Sequence, residues 1–246
     1  MLVGAEGIGK RKIAERWGSA ANPDVMIVER GVNDKDELKK NISIEQVREL
    51  IQRLSMSSFG GGKKIGIIDG AETLSTEAAN ALLKTLEDPM GDVLVILLAT
   101  TTAAIPATVL SRCQTVYVPL VSSEVSCSAL VQRGSAREVA EEIAGFASGR
   151  PGMALRLLAD SDLLQTYRVY QREIEQLVVS PLPKCLGMLS SFTKISKETL
   201  ENRLDVWEVT LHQKQAYGFL MRLLRARAAI RQNVTPVLAL EHAFVS

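Results

Sequence analysis

Cysteine, histidine and long apolar runs are all scarce in this sequence. The three cysteines are far apart and form neither a CxxC pair nor a disulfide framework, and the two histidines are isolated. The longest apolar run, Val93 to Ala99, is far shorter than the ~20 residues that a membrane-spanning helix needs. Lysine and arginine (29) nearly balance aspartate and glutamate (28), so no overall charge steers the chain toward nucleic acid. These absences favour a soluble, cytoplasmic, globular protein with no membrane contact and no resident metal.

The most informative stretch runs from Lys63 to Pro89. Its apolar isoleucines predict a buried parallel strand that ends at Asp69. Ser75 is a suitable N-cap for the following helix, which Pro89 ends. An acidic residue at the carboxyl end of a parallel strand lies where α/β proteins bind ligands. Asp69 is therefore either the metal-binding carboxylate of a nucleotide site or the remnant of one.

A glycine-rich stretch at the start of the chain matches the spacing of a P-loop. Such glycines let backbone N–H groups converge on an anion at a helix N-terminus, and the lysine adds a positive charge for the phosphates. The Ser or Thr that binds Mg²⁺ in this motif is replaced by Arg11, whose guanidinium repels a cation. The alternative is a strand-to-helix turn without a ligand. The residues concerned are Gly4, Gly7, Gly9 and Lys10.

The remaining pattern of the first half alternates helices and strands, which predicts an α/β domain with a parallel sheet. A helix over Lys12 to Trp17 precedes a strand over Asp24 to Glu29, and a capping box over Ser43 to Gln46 begins the next helix. Val93 to Ala99 is a further strand. Its end carries Thr100 to Thr102, and a last short strand runs from Thr115 to Val118. A nucleotide domain normally has residues before its P-loop strand, so we expect a truncated or misplaced start.

Five segments together resemble the AAA+ domain of bacterial clamp-loader subunits of DNA polymerase III, most of all the delta-prime type. They read GAEGIGK, IEQVRELIQRLS, IIDGAETLSTEAANALLKTLEDP, LLATTT and LSRCQ. The resemblance implies an α/β AAA+ P-loop domain over residues 1–120 that lacks its usual N-terminal start. It also implies a small helical lid over residues 121–160 and an all-α collar for oligomerisation over residues 161–246. Many relatives carry a four-cysteine zinc module, which this chain lacks.

The resemblance places the P-loop glycines and Lys10 on the Walker A motif, Asp69 on the Walker B carboxylate and Thr101 near the sensor-1 position. Active ATPases of the family carry Glu where this chain has Gly70, and the sensor-2 Arg where it has Gly152, with Arg150 or Arg156 as candidate substitutes. Together with Arg11, these departures imply a subunit that does not hydrolyse ATP. We therefore expect that no cofactor is required and that ATP and Mg²⁺ bind weakly or not at all.

The SRC motif, Ser111-Arg112-Cys113, is retained. The resemblance implies that Arg112 acts in trans as an arginine finger, contacting the γ-phosphate of ATP on a neighbouring subunit. The alternative is an intramolecular salt bridge. The implied partners are gamma/tau-type and delta-type subunits in a hetero-oligomer, with the sliding clamp and primer-template DNA reached through that assembly.

Two other functions stay open from the sequence. The first is an active ATPase of the gamma/tau type that uses Lys10 and Asp69. The second is an interaction scaffold outside replication. In the helical second half, Arg222 and Arg225 lie opposite an apolar stripe and are expected to form a solvated face, with DNA or an acidic partner as the alternative.

Overall fold

The computed structural model describes residues 1–18, 21–32, 39–59, 62–89, 91–190, 192 and 195–245. These residues form two compact units. The first comprises Met1–Val121 together with Arg150–Met153, and the second comprises Ser122–Gly149 and Ala154–Ser246. The expected boundary at residue 120 and the division of the second half into lid and collar stay predictions.

The first unit is built on a five-stranded parallel sheet in the order β2-β3-β4-β1-β5. In the register, Leu98 of β4 pairs with Asp69 on one side and with Leu2 on the other. The carboxyl ends of β3, β4 and β1 therefore meet at one edge of the sheet. The strands are β1 (Leu2–Val3), β2 (Val25–Val28), β3 (Lys64–Asp69), β4 (Val93–Ala99) and β5 (Val116–Tyr117).

Helices cover both faces of this sheet, which confirms the predicted α/β class. Successive strand residues point to opposite faces, so Ile68 packs with Leu50 and Leu82 on one side, whereas Ile67 packs with Ala14 on the other. Burying each large apolar side chain contributes roughly 1.5–3 kcal/mol. The helices are α1 (Lys10–Ala14), α2 (Ile44–Ser55), α3 (Thr76–Glu87) and α4 (Ala107–Leu110), with a 3₁₀ turn at Ala71–Thr73.

Helix boundaries follow the capping chemistry. The capping box of α2 is confirmed, because Ser43 and Gln46 each bond the other's backbone N–H, and Ser75 caps α3 as predicted. The predicted bounds of the first helix, Lys12 to Trp17, are wrong at both ends. The helix begins at Lys10, directly after Gly9 in the left-handed conformation, and ends at Ala14. Lys10 therefore lies in the first turn of α1.

The described residues of the second unit form helices joined by short turns and loops. Trp207 and Tyr167 are its largest fully buried side chains, and Phe192 packs on Trp207. Arg222 lies over the ring of Phe219, 4.3 Å from its centroid. None of the described helices in either unit combines the length and apolar character needed to cross a membrane. The helices are α5 (Ser123–Gln132), α6 (Arg137–Ala147), α7 (Pro151–Ala159, whose first residues belong to the first unit), α8 (Ser161–Val179), α9 (Leu182–Leu189), α10 (Lys197–Gln213), α11 (Tyr217–Arg231) and α12 (Pro236–Val245).

Candidate functional site

A cleft of about 460 Å³ lies at the carboxyl edge of the sheet, between the P-loop and the ends of β2, β3 and β4. Parallel α/β sheets bind ligands at this edge. Its charged lining is dominated by acids: four carboxylates against two cations. Such a lining repels the phosphates of a nucleotide. The carboxylates belong to Glu6, Glu29, Asp69 and Glu72, and the cations to Lys10 and Arg30.

The structure brings the predicted Walker A residues together at this cleft. Gly4 continues β1 and donates its N–H to the carbonyl of Ala99, and Gly7 and Gly9 both have positive φ. Lys10 turns back onto the loop, with Nζ donating to the carbonyl oxygens of Gly4 at 2.6 Å and Ala5 at 3.0 Å. Partial burial lowers the pKa of the Lys10 ammonium. The loop carbonyls thus bond the ammonium group that a P-loop lysine directs toward phosphate.

Arg11 provides the main cation beside Asp69. Its guanidinium lies 3.6 Å from Asp69 Oδ2, 2.6 Å from Glu29 Oε2 and 3.5 Å from Glu15 Oε1. Burial raises the pKa of the Asp69 carboxyl, and the nearby Arg11 charge opposes that rise. Mg²⁺ needs oxygen ligands in an octahedral arrangement. The residues present do not fit it, because the hydroxyl is replaced by a guanidinium that already pairs with the expected carboxylate. Moreover, no cluster of three or more His, Cys, Asp or Glu suited to a metal occurs among the described residues.

Gly70 occupies a backbone conformation that favours glycine. It follows Asp69 with φ of +83°, in the left-handed region, and caps the 3₁₀ turn. Its N–H donates to the carbonyl of Leu98, and its own carbonyl accepts from Thr73 Oγ1. Residues with a Cβ rarely adopt this conformation. A glutamate at position 70 would therefore be strained in this backbone.

Gly152 packs directly against the P-loop. Its N–H donates to the carbonyl oxygen of Gly7 at 2.7 Å. A Cβ on Gly152 would meet that same oxygen at 2.8 Å, closer than real Cβ contacts. The segment Arg150–Met153 belongs to the first unit, as does the P-loop. A sensor-2 arginine at position 152 therefore does not fit this arrangement without moving the loop.

Two threonines line the cleft, Thr73 and Thr100. Thr100 donates from both its N–H (3.1 Å) and its Oγ1 (2.6 Å) to Glu72 Oε1. Thr101 is exposed, and its Oγ1 accepts the N–H of Ala103 in a local turn. The sensor-1 assignment of Thr101 stays a prediction.

Three carboxylates of the cleft, those of Glu6, Glu29 and Glu72, were missed by sequence reasoning. Glu6 lies within the P-loop stretch itself. Glu29 is the residue after β2, and its position at the carboxyl end of a parallel strand was an available signal. Glu72 follows Asp69 by three residues on the 3₁₀ turn, and its Oε2 is buried without a hydrogen-bond partner. The spacing Asp-x-x-Glu after a buried strand was the signal for Glu72.

Arg112 lines a different cavity, of about 350 Å³, which also includes Cys113 and Gln114. The alternative ion pair considered for Arg112 is present, since its guanidinium bonds the carboxylate of Glu87. Ser111 Oγ accepts from Arg112 Nη1 at 3.2 Å. Burial raises the pKa of the Cys113 thiol, which disfavours the thiolate beside Arg112. The trans role of Arg112 stays a prediction.

Comparison with known protein families matches residues 4–121 to the family described as DNA polymerase III, delta subunit. The chain is similar to the DNA polymerase III subunit delta' of Pseudomonas aeruginosa, with 30% identity over 183 residues that cover 64% of this chain and 54% of the relative. It is also similar to the delta' subunit of Haemophilus influenzae, with 33% identity over 58% of this chain and 46% of the relative. The chain thus spans about half the length of these relatives. The resemblance inferred from the motifs is confirmed.

Among solved structures, a DNA polymerase III gamma subunit-related protein from Thermotoga maritima has a similar fold. The TM-score is 0.51 with 17% identity, covering 100% of this chain and 92% of that structure. At this identity the likeness concerns the fold alone. It confirms the AAA+ type of fold that the sequence motifs predicted.

Proposed function

We propose that this chain is the non-hydrolysing component of a sliding-clamp loader in DNA replication. The proposal starts from its similarity to delta-prime subunits of DNA polymerase III. Its own cleft requires no cofactor and binds ATP and Mg²⁺ weakly or not at all. Arg112 serves as an arginine finger for ATP on a neighbouring ATPase subunit. The protein acts in the cytoplasm within a hetero-oligomer.

The observation that carries the non-hydrolysing role is the position of Arg11 beside Asp69. The guanidinium lies 3.6 Å from the Walker B carboxylate and also pairs with Glu29. Phosphoryl transfer needs a divalent cation held next to the β- and γ-phosphates, and a cationic side chain here competes with that cation for the same carboxylate. The missing base at Gly70 and the close packing of Gly152 act in the same direction.

The trans role of Arg112 is supported by its separation from that cleft. Arg112 lines the second cavity, whereas Lys10 and Asp69 line the first. A guanidinium that stabilises transition-state charge on a neighbour's phosphate needs no nucleotide in its own chain. The partners proposed on this basis are gamma/tau-type and delta-type subunits, with the clamp and primer-template DNA contacted through the assembly.

The test compares ATPase activity of the isolated chain with that of a loader reconstituted with clamp and primed DNA. We expect the isolated chain to be inactive. Arg112→Ala should lower turnover at the one site that receives it by ~10³ or more, as the loss of an arginine finger does. Other sites in the assembly continue to turn over, so single-site turnover should be measured with the remaining sites inactivated. Arg53→Ala is a matched control, because Arg53 is an ion-paired surface arginine of the same unit.

Two other results would replace this proposal. In the first, the isolated chain hydrolyses ATP through Lys10 and Asp69, and Arg112→Ala has no effect in the assembly. This result identifies an active ATPase of the gamma/tau type. Failure of the chain to join the loader at all identifies an interaction scaffold outside replication.

A further inference from the structure

Every nitrogen of the Arg112 guanidinium has an intramolecular partner. Nε donates to Glu87 Oε1 at 2.6 Å, and Nη2 donates to the same oxygen. Nη1 donates to the carbonyl of Thr108 at 2.8 Å and to Ser111 Oγ at 3.2 Å. The side chain is therefore held in one orientation although it lies near the surface, with a relative exposure of 32%.

The two ends of this contact come from different helices. Thr108 lies in the four-residue helix α4. The last carbonyls of a helix have no partner within it, and an arginine just beyond the helix end often bonds them. Glu87 is the last residue of α3, before Asp88 and Pro89. A carboxylate at a helix C-terminus faces the negative end of the helix dipole and is unfavourable there. The geometry gives Glu87 a compensating partner in Arg112.

We infer that Glu87 is a positioning residue that pre-orients Arg112 for a phosphate on the neighbouring subunit. The inference rests on the proposed trans role of Arg112. Fixing a flexible arginine when a partner binds costs rotamer freedom, and a side chain already held in place loses less. Glu87 is 51% exposed, and ion pairs this exposed are weak. The contact therefore orients the guanidinium without preventing its transfer to a more highly charged phosphate.

The experiment measures single-site ATPase turnover of the reconstituted loader with Glu87 and Arg112 variants. Glu87→Ala should lower the Arg112-dependent turnover about threefold to tenfold, the cost of ordering one long side chain at binding. Glu87→Gln retains an acceptor oxygen at the same place and should restore most of the loss. Glu49→Ala is the matched control, since Glu49 is 55% exposed and pairs with Arg53 in the same unit; it should leave turnover unchanged.

A double mutant separates positioning from general structural support. If Glu87 acts through Arg112, Glu87→Ala in the Arg112→Ala background adds no further loss. A further loss in the double mutant would overturn the inference. So would Glu87→Ala turnover that equals or exceeds wild type while Arg112→Ala is slow. Either result leaves the proposed function standing. An unchanged rate for Arg112→Ala overturns both, because no finger then exists to be positioned. Melting curves of the isolated variants check that each one folds.

Discussion

The cleft around Asp69 and the corner around Arg112 both contain an arginine paired with acids, yet the two arrangements differ in charge. In the cleft, Arg11 faces three carboxylates, and the surrounding lining is acidic. At the corner, Arg112 faces the single carboxylate of Glu87, together with a carbonyl and a hydroxyl. The charge of Arg11 is neutralised by several carboxylates, whereas the charge of Arg112 is balanced by the one exposed carboxylate of Glu87. Under the proposed function, this difference lets one domain lack nucleotide chemistry of its own and still present a cation to another subunit.

The largest effect in the cleft is expected for Gly152→Arg. This change places an arginine where the family resemblance implies the sensor-2 residue. Its Cβ would overlap the carbonyl oxygen of Gly7. We expect the free energy of unfolding to fall by about 1–3 kcal/mol, as in other overpacked sites. Hydrogen exchange of the amides in residues 4–10 should also accelerate.

The matched control for that change is Gly218→Arg. Gly218 is likewise the second residue of its helix, but nothing lies within 4 Å of the position where its Cβ would be. Replacing a helical glycine at an open position should leave stability unchanged or raise it by up to about 1 kcal/mol. Equal effects of the two substitutions would show that the contact with Gly7 is unimportant.

Arg11→Thr examines whether the cleft can be turned back toward nucleotide binding. The change removes the cation beside Asp69 and supplies the hydroxyl of the P-loop pattern. We expect Mg²⁺-dependent affinity for a non-hydrolysable ATP analogue to increase by about tenfold or more, or ~1.4 kcal/mol, in calorimetric titrations. Arg11→Ala, which lacks the hydroxyl, should gain less. Hydrolysis should stay absent since Gly70 is unchanged, and unaltered affinity would contradict this account of the cleft.

Asp69→Asn is expected to have the smallest effect. The folded-state pKa of Asp69 lies above its ordinary value, mainly through burial, so the folded protein binds this proton more tightly than the unfolded chain. Wild-type stability should therefore fall as pH rises from the ordinary Asp pKa through the raised one. Asp69→Asn lacks this dependence and should match or slightly exceed wild type in melting temperature at pH 7.

The difference between Asp69→Asn and wild type should shrink as the pH falls below the raised pKa of Asp69, where the wild-type carboxyl is also neutral. Asp92→Asn, at a side chain that is 70% exposed, is the control. A lower melting temperature for Asp69→Asn at pH 7 would show that its ion pair with Arg11 outweighs the cost of burial.

Local sequence patterns determined much of this domain. The isoleucines before Asp69, the capping box at Ser43 and the stop at Pro89 each placed an element, because period and capping depend on residues within one or two turns. The P-loop spacing singled out Arg11. The family resemblance, and not local periodicity or capping, pointed to Gly70, Gly152 and Arg112. Boundaries were less certain: the P-loop helix begins at Lys10 because of the backbone of Gly9, which its sequence position alone does not reveal.

What these positions do depends on contacts between segments that are distant in the chain. The register of the sheet sets the ends of β2 and β3 side by side, where Arg11 contacts both Asp69 and Glu29. Contacts outside the sheet seat Gly152 on the carbonyl of Gly7 and pair Glu87 with Arg112. No short-range pattern encodes these pairs, since each joins side chains or backbone groups from separate elements. The sequence by itself predicted a nucleotide site with altered residues. The tertiary arrangement decided how those residues neutralise one another in the cleft, and which acid holds Arg112.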